Sequence, residues 1–216
     1  YVINGSKTFI SNGYMADLVC VVVKTDPAAG AKGTSLLMVE TPGLEGYRRG
    51  RILDKIGMKG QDTAELFFDD VRVPAENLLG GVEGRGFAQL MDQLPWERTI
   101  IAVAAVAAIE RAVELTVDYT KSRVQFGRPI GSFQALKHRM ADMYALVETA
   151  RSAADAASAS LDPADCAVAK VYCSEAFSQV AAEALDGTVE AGLDRGRPGG
   201  VADDAHELGP LHLVCF

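Results

Sequence analysis

The chain has 216 residues, 49 % of them apolar and 23 % charged, with a formal net charge of −8. That is apolar matter for one large domain or two small ones. The acidic balance and the lack of long Lys/Arg runs argue against nucleic acid as the main partner, and no apolar run approaches the roughly 20 residues a membrane-crossing helix needs.

Residues 1–79 read as β structure. Tyr1-Val2-Ile3 is followed by Asn4-Gly5, a hairpin signal, and then by Lys7-Thr8-Phe9-Ile10-Ser11. Leu18 to Val23 is a continuous apolar strand, as a buried position would explain. Thr34–Val39, Glu65–Phe68 and Val71–Val73 are further strands, the last closed by Pro74. Gly, Pro and Asp between them mark turns. The chain opens on Tyr1 inside a strand-like pattern without an initiator Met, as expected of a fragment whose true N-terminus lies upstream.

Helical periodicity begins near Gly86, and the first helix is expected to run to about Thr120. From Ile100 to Ile109 every residue is Ile, Val or Ala, so other helices should surround it. The segment from Ser122 to Gly131 reads as a loop, and Ser132 as the cap of a second helix. Its apolar stripe is Phe133, Leu136, Met140, Met143, Tyr144, Val147, Ala150 and Ala154. Asp162-Pro163 opens a third helix, as N-cap and first residue, that runs to about Leu185. The fold class is α+β: a partial β-barrel or sandwich domain (1–82), then an antiparallel helical bundle (83–185). A divergent tail (186–216) shows no period.

Cys20, Cys166, Cys173 and Cys215 show no metal-like spacing and read as reduced, mostly buried thiols. His206 and His212 fall in the aperiodic tail and read as solvated rather than metal-bound. No metal is expected.

Leu94-Pro95-Trp96-Glu97-Arg98 places one carboxylate at the mouth of the apolar helix. Apolar surroundings raise a carboxylate's pKa, which suits a general base near neutral pH. The same residues also have a structural reading. Pro95 suits the first helical position, and Glu97 two residues later suits the positive end of a helix.

Five segments, in order, resemble the acyl-CoA dehydrogenase family. They are Asn4-Gly5-Ser6-Lys7-Thr8-Phe9-Ile10-Ser11-Asn12-Gly13, Lys55 to Leu66, Phe67 to Gly80 with Val73-Pro74 and Asn77-Leu78, Gly84-Arg85-Gly86-Phe87, and Arg123-x-x-Phe126-Gly127 followed by Gln134. The resemblance covers residues 1 to about 185, and its wording is closest to the long-chain branch.

The resemblance implies FAD as cofactor. Phe9, Ile10 and Ser11 would lie along the flavin, with the Ser11 hydroxyl near N5 and O4. Without the resemblance, Ser11 would read as a strand-end hydroxyl and Phe9 as core. Arg123 and Gln134 would reach across a homodimer or homotetramer interface to a neighbour's FAD, where a guanidinium fork suits a pyrophosphate, and Phe126, also counted as cofactor-binding, would with Gly127 and Pro129 fix where that arginine points. Arg123 read by itself is a cation at a helix C-terminus. Glu97 would be the base, and Leu94 and Arg98 would line the substrate site.

The implied reaction is α,β-dehydrogenation of an acyl-CoA to a trans-2-enoyl-CoA. Electrons would pass on to electron-transferring flavoprotein, in a bacterial cytoplasm or mitochondrial matrix. An acyl-CoA oxidase using O2 and a non-catalytic helical remnant without FAD are the alternatives. After Leu185 the family continues with Gln and a Gly-Gly-x-Gly turn, whereas this chain has Asp186-Gly187-Thr188-Val189. That break is expected if the reading frame slipped near Asp186.

Overall fold

The computed structural model describes residues 1–189. It divides into one unit, Tyr1–Asp92, and a second beginning at Gln93.

In the first unit, β1 (Val2–Ser11) pairs antiparallel with β5 (Thr63–Arg72), which also pairs antiparallel with β4 (Tyr47–Ile52). A separate antiparallel pair joins β2 (Leu18–Lys24) to β3 (Thr34–Glu40). Residues from both sheets (Ile3, Val21, Leu37, Val39, Leu66, Phe68 and Val71) meet in one core with Val73 and Leu78 from the segment after β5.

Asn4-Gly5 does not turn the chain. It lies inside β1, opposite an extra residue of β5 between the pairs Ile3↔Val71 and Gly5↔Phe68. A bulge thus replaces the expected hairpin, and Asp70 takes φ 51° to accommodate it. The same bulge unites the two strands expected at Glu65–Phe68 and Val71–Val73 into β5.

Of the apolar β2 run only Val21 is fully buried, while Leu18 is 55 % exposed. A strand at the side of a two-stranded sheet covers one face and leaves the other open. β4 was not anticipated, because Arg48, Arg49, Gly50 and Arg51 hide its pattern. Charged residues are common on such an edge strand, where they deter pairing with other chains.

α1 (Gly86–Ser122) begins in the last residues of the first unit and, in the second, leads to a short hairpin of β6 (Val124–Gln125) and β7 (Arg128–Pro129). Next come α2 (Gln134–Ser160) and α3 (Pro163–Val189). The short connection at Leu161-Asp162 makes the last two helices antiparallel. Small residues line their contact: Ala150, Ala154 and Ala157 from α2, and Cys166, Ala169, Cys173 and Ala176 from α3. Asp162 caps α3 as expected, its Oδ1 accepting from Ala164 N at 2.8 Å.

Several expectations change here. Pro95 lies inside α1, not at its start, so it removes a helical hydrogen bond instead of using a free N-terminal position. Glu97 is therefore more than two turns from the positive helix end. Ser132 belongs to a single 3-10 turn, and Phe133 holds the N-cap of α2 without a side-chain cap bond.

In the middle of α1 only Ala102, Val106 and Ile109 are buried, a stripe at i, i+4 and i+7, while Ile100 and Val103 are exposed. On α2, Tyr144 is exposed, because Met143, Val147, Ala150 and Ala154 define the buried stripe. α3 continues through Gly187 to Val189, past the expected end at Leu185. His206, His212, Cys215 and most of the tail lie outside the described residues.

Candidate active and cofactor-binding sites

The first unit presents Phe9, Ile10 and Ser11 at the end of β1. Between the pairs Lys7↔Leu66 and Ile10↔Ala64, β1 uses one residue more than β5. Phe9 sits in that bulge with φ 62° and is 71 % exposed. A phenylalanine held there costs on the order of 1–3 kcal/mol, a strain that clusters at functional sites. Ile10 and Ser11 are half-buried, and among the described residues the Ser11 hydroxyl has no hydrogen-bond partner. An outward ring beside an unengaged hydroxyl fits a flat heteroaromatic ligand with acceptors on its rim.

In the second unit, Leu94, Glu97 and Arg98 occupy one face of α1 at i, i+3 and i+4, all half-buried. Among the described residues neither Glu97 nor Arg98 has a side-chain hydrogen bond or ion pair. Thr99, one residue on, is buried and donates to Pro95 O at 2.9 Å, with Cys166 Sγ at 3.2 Å. That contact packs this turn of α1 against α3 and leaves Glu97 free on the adjoining face.

Arg123 follows α1, its amide bonding to Tyr119 O at 2.8 Å and its carbonyl accepting from Ile130 N at 2.9 Å. The supposed loop is thereby closed as a hairpin. Phe126 (φ 52°) and Gly127 (φ 77°) form a two-residue connection between the paired Gln125 and Arg128. Positive φ at both positions is the type I′ geometry that matches strand twist.

Phe126 stands at the tip, 90 % exposed, its ring edge-on to Phe133 at 6.1 Å. The Arg128 guanidinium covers the Phe133 ring at 4.2 Å, a contact that sequence reasoning missed. Gln134 is exposed at the start of α2, its Nε2 3.2 Å from His138 Nε2. Among the described residues, Arg123 Nε is buried without a partner. A buried, unsatisfied guanidinium nitrogen is costly unless an anion completes it, so this residue suits a phosphate ligand. Among the described residues no group of three or more His, Cys, Asp or Glu could hold a metal ion, and no helix is long and apolar enough to cross a membrane.

Residues 1–71 match the acyl-CoA dehydrogenase middle domain, and residues 84–202 match the acyl-CoA dehydrogenase C-terminal domain. The second match extends past Leu185, where the sequence reading ended the resemblance. The mitochondrial long-chain specific acyl-CoA dehydrogenase of Mus musculus is 42 % identical over 192 residues, covering 86 % of this chain and 44 % of that protein. The mitochondrial isovaleryl-CoA dehydrogenase of Oryza sativa subsp. japonica is 40 % identical over 190 residues, covering 86 % and 46 % respectively. The crystal structure of an acyl-CoA dehydrogenase from Geobacillus kaustophilus superposes with a TM-score of 0.82 at 42 % identity, covering 87 % of this chain and 51 % of that one. The chain belongs to the acyl-CoA dehydrogenase family. It spans about half the length of the curated relatives it matches.

Proposed function

We propose that this chain carries the middle and C-terminal parts of an FAD-dependent acyl-CoA dehydrogenase that forms trans-2-enoyl-CoA. The observation that supports it most directly is the half-buried carboxylate of Glu97 on α1, which has no hydrogen bond or ion pair among the described residues. It lies in a chain about 40 % identical to relatives named as acyl-CoA dehydrogenases.

Bound FAD supplies the acceptor for the β hydrogen and its two electrons. Glu97 takes the α proton onto a carboxylate oxygen, for which its lack of an ion pair among the described residues suits it. Arg98 and Leu94, on the same face, orient the thioester end of the substrate. Phe9 and Ile10 provide an apolar bed for the flavin, and Ser11 donates a hydrogen bond to its rim. Arg123 and Gln134, with Phe126 beside them, hold the diphosphate end of a cofactor in a second copy. Electrons leave to electron-transferring flavoprotein.

The test uses the whole polypeptide that carries this chain, loaded with FAD and mixed with acyl-CoAs of graded length without oxygen. At least one acyl-CoA is expected to bleach the flavin. Glu97→Gln is expected to keep the flavin yet bleach at least ~100-fold more slowly, the usual scale for loss of a general base. Equal bleaching rates in parent and variant overturn the assignment of Glu97. A parent that binds FAD but is bleached by no acyl-CoA overturns the activity.

A further inference from the structure

The turn that follows Ser11 is held at its two ends by different groups. At the far end, Thr41 N donates to Asp17 O at 2.8 Å, Thr41 Oγ1 to Ala16 O at 2.8 Å, and Arg49 to Ala16 O at 2.9 Å. Arg49 also pairs with Asp17 at 3.5 Å. At the near end, one residue supplies both long-range contacts. Asp62 O accepts from Asn12 N at 2.9 Å, and Asp62 Oδ2 accepts from Tyr14 N at 2.7 Å.

Asp62 precedes Thr63, the residue paired with Ser11 across the sheet. Its own loop is pinned by Lys55, whose Nζ donates to Gln61 O and, at 2.9 Å, to Thr63 Oγ1. Between the two Asp62 bonds lies Gly13, buried so tightly that a Cβ there would meet the Ile10 side chain at 3.0 Å. The clamp therefore reaches Ile10 and Ser11 by direct chain connection. Asn12 takes φ 59° within it, a left-handed conformation that asparagine adopts readily in turns.

We propose that Asp62 is a positioning residue for the flavin site, its carboxylate setting the aim of the Ser11 hydroxyl through the turn at Asn12–Tyr14. The inference rests on the reading of Ser11 as a flavin donor. Asp62 falls inside the family-like segment Lys55–Leu66, but the sequence does not reveal these contacts, since its partners lie 48 or more positions away.

The experiment compares Asp62→Ala, Asp62→Asn, Ser11→Ala and the Ala/Ala double variant in the whole FAD-binding polypeptide. FAD affinity is measured by titration of apoprotein, and the bound flavin's visible absorption band is recorded. Asp62→Ala is expected to weaken FAD about tenfold, as loss of a charge-assisted hydrogen bond would, and to displace the band in the direction Ser11→Ala displaces it. Asp62→Asn keeps an oxygen acceptor and is expected to restore both readouts. The double variant should bind FAD no more weakly than Ser11→Ala, because the two residues act as one unit.

Parent-like affinity and spectrum in Asp62→Ala, or additive losses in the double variant, overturn the proposal while leaving the flavin reading intact. If Asp62→Ala does not fold, Asp62→Glu, which moves the carboxylate by one methylene, must displace the band, and a parent-like spectrum overturns the proposal. A parent protein that takes up no FAD overturns the flavin reading and this inference with it.

Discussion

The side-chain amide of Asn4 brackets Asp70 from both sides. Asn4 Nδ2 donates to Asp70 Oδ1 at 2.9 Å, and Asn4 Oδ1 accepts from Asp70 N at 2.8 Å. Asp70 is the positive-φ residue of the β5 bulge, so the amide supplies the partner that the interrupted ladder cannot. Asn4→Ala is expected to cost about 1 kcal/mol, both bonds being exposed. Asn4→Asp is expected to cost more, since it sets two carboxylates against each other. Urea unfolding of the three proteins, followed by far-ultraviolet circular dichroism, checks the order. A fully stable Asn4→Asp would show that the bracket does not hold the bulge.

The same pair explains why the β domain was only partly legible. Asn-Gly carries a hairpin signal because both residues tolerate positive φ, but that tolerance serves a bulge equally well. Only the partner strand decides, and Asp70 lies 66 residues away. Local chemistry sufficed elsewhere. Asp162-Pro163 names its own helix start, and Met143, Val147, Ala150 and Ala154 announce their face by spacing alone. The motifs put Glu97, Arg123 and Ser11 forward only as candidates, and that their side chains have no hydrogen-bond partner among the described residues required coordinates. Pro95 misled because its local preference for a helix start yields when the flanking sequence continues the helix.

Arg123 carries a prediction of its own. Its buried Nε has no partner among the described residues, and on the proposed role as a phosphate ligand a lysine offers a point charge without the planar fork. Arg123→Ala is expected to lower FAD affinity by roughly 10- to 100-fold, and Arg123→Lys to recover only part of it. Equilibrium titration of apoprotein reads both. If the lysine variant binds FAD as tightly as the parent, the fork is not what the ligand uses.

Cys173 gives the helical unit a stability that depends on pH. The thiol is buried on α3 and bonds to Ala150 O at 3.3 Å. Burial pushes its pKa above the ordinary thiol value of 9.0. Below pH 9 the thiol is protonated in folded and unfolded chains alike, and its contribution is whole. Above that value the unfolded thiol ionises while the buried one resists, so the unfolded state binds fewer protons and stability falls as pH rises. Cys173→Ala lacks this loss. It is expected to be about 1 kcal/mol less stable than the parent at neutral pH, with the gap narrowing steadily above pH 9. Denaturation midpoints measured across that range should converge; parallel curves would mean that the thiol does not titrate differently in the folded protein.

The last prediction tests which face of α1 is core. Ile109 is wholly buried with Ala102 and Val106, in the cluster that takes Met143 and Val147 from α2 and Val180 from α3. Arg151 ties the same stretch from outside, its Nε donating to Glu110 Oε1 at 2.8 Å. Removing buried carbons loses their transfer energy and leaves a cavity that rigid helices refill poorly. Ile109→Val should cost about 0.5–1.5 kcal/mol and Ile109→Ala about 2–5 kcal/mol. The graded pair matters, because a merely lowered helix propensity would make valine, which is β-branched like isoleucine, nearly neutral and alanine slightly stabilising. Opposite signs of the alanine effect thus separate a packed face from an exposed one, and thermal unfolding of the two variants beside the parent decides between them.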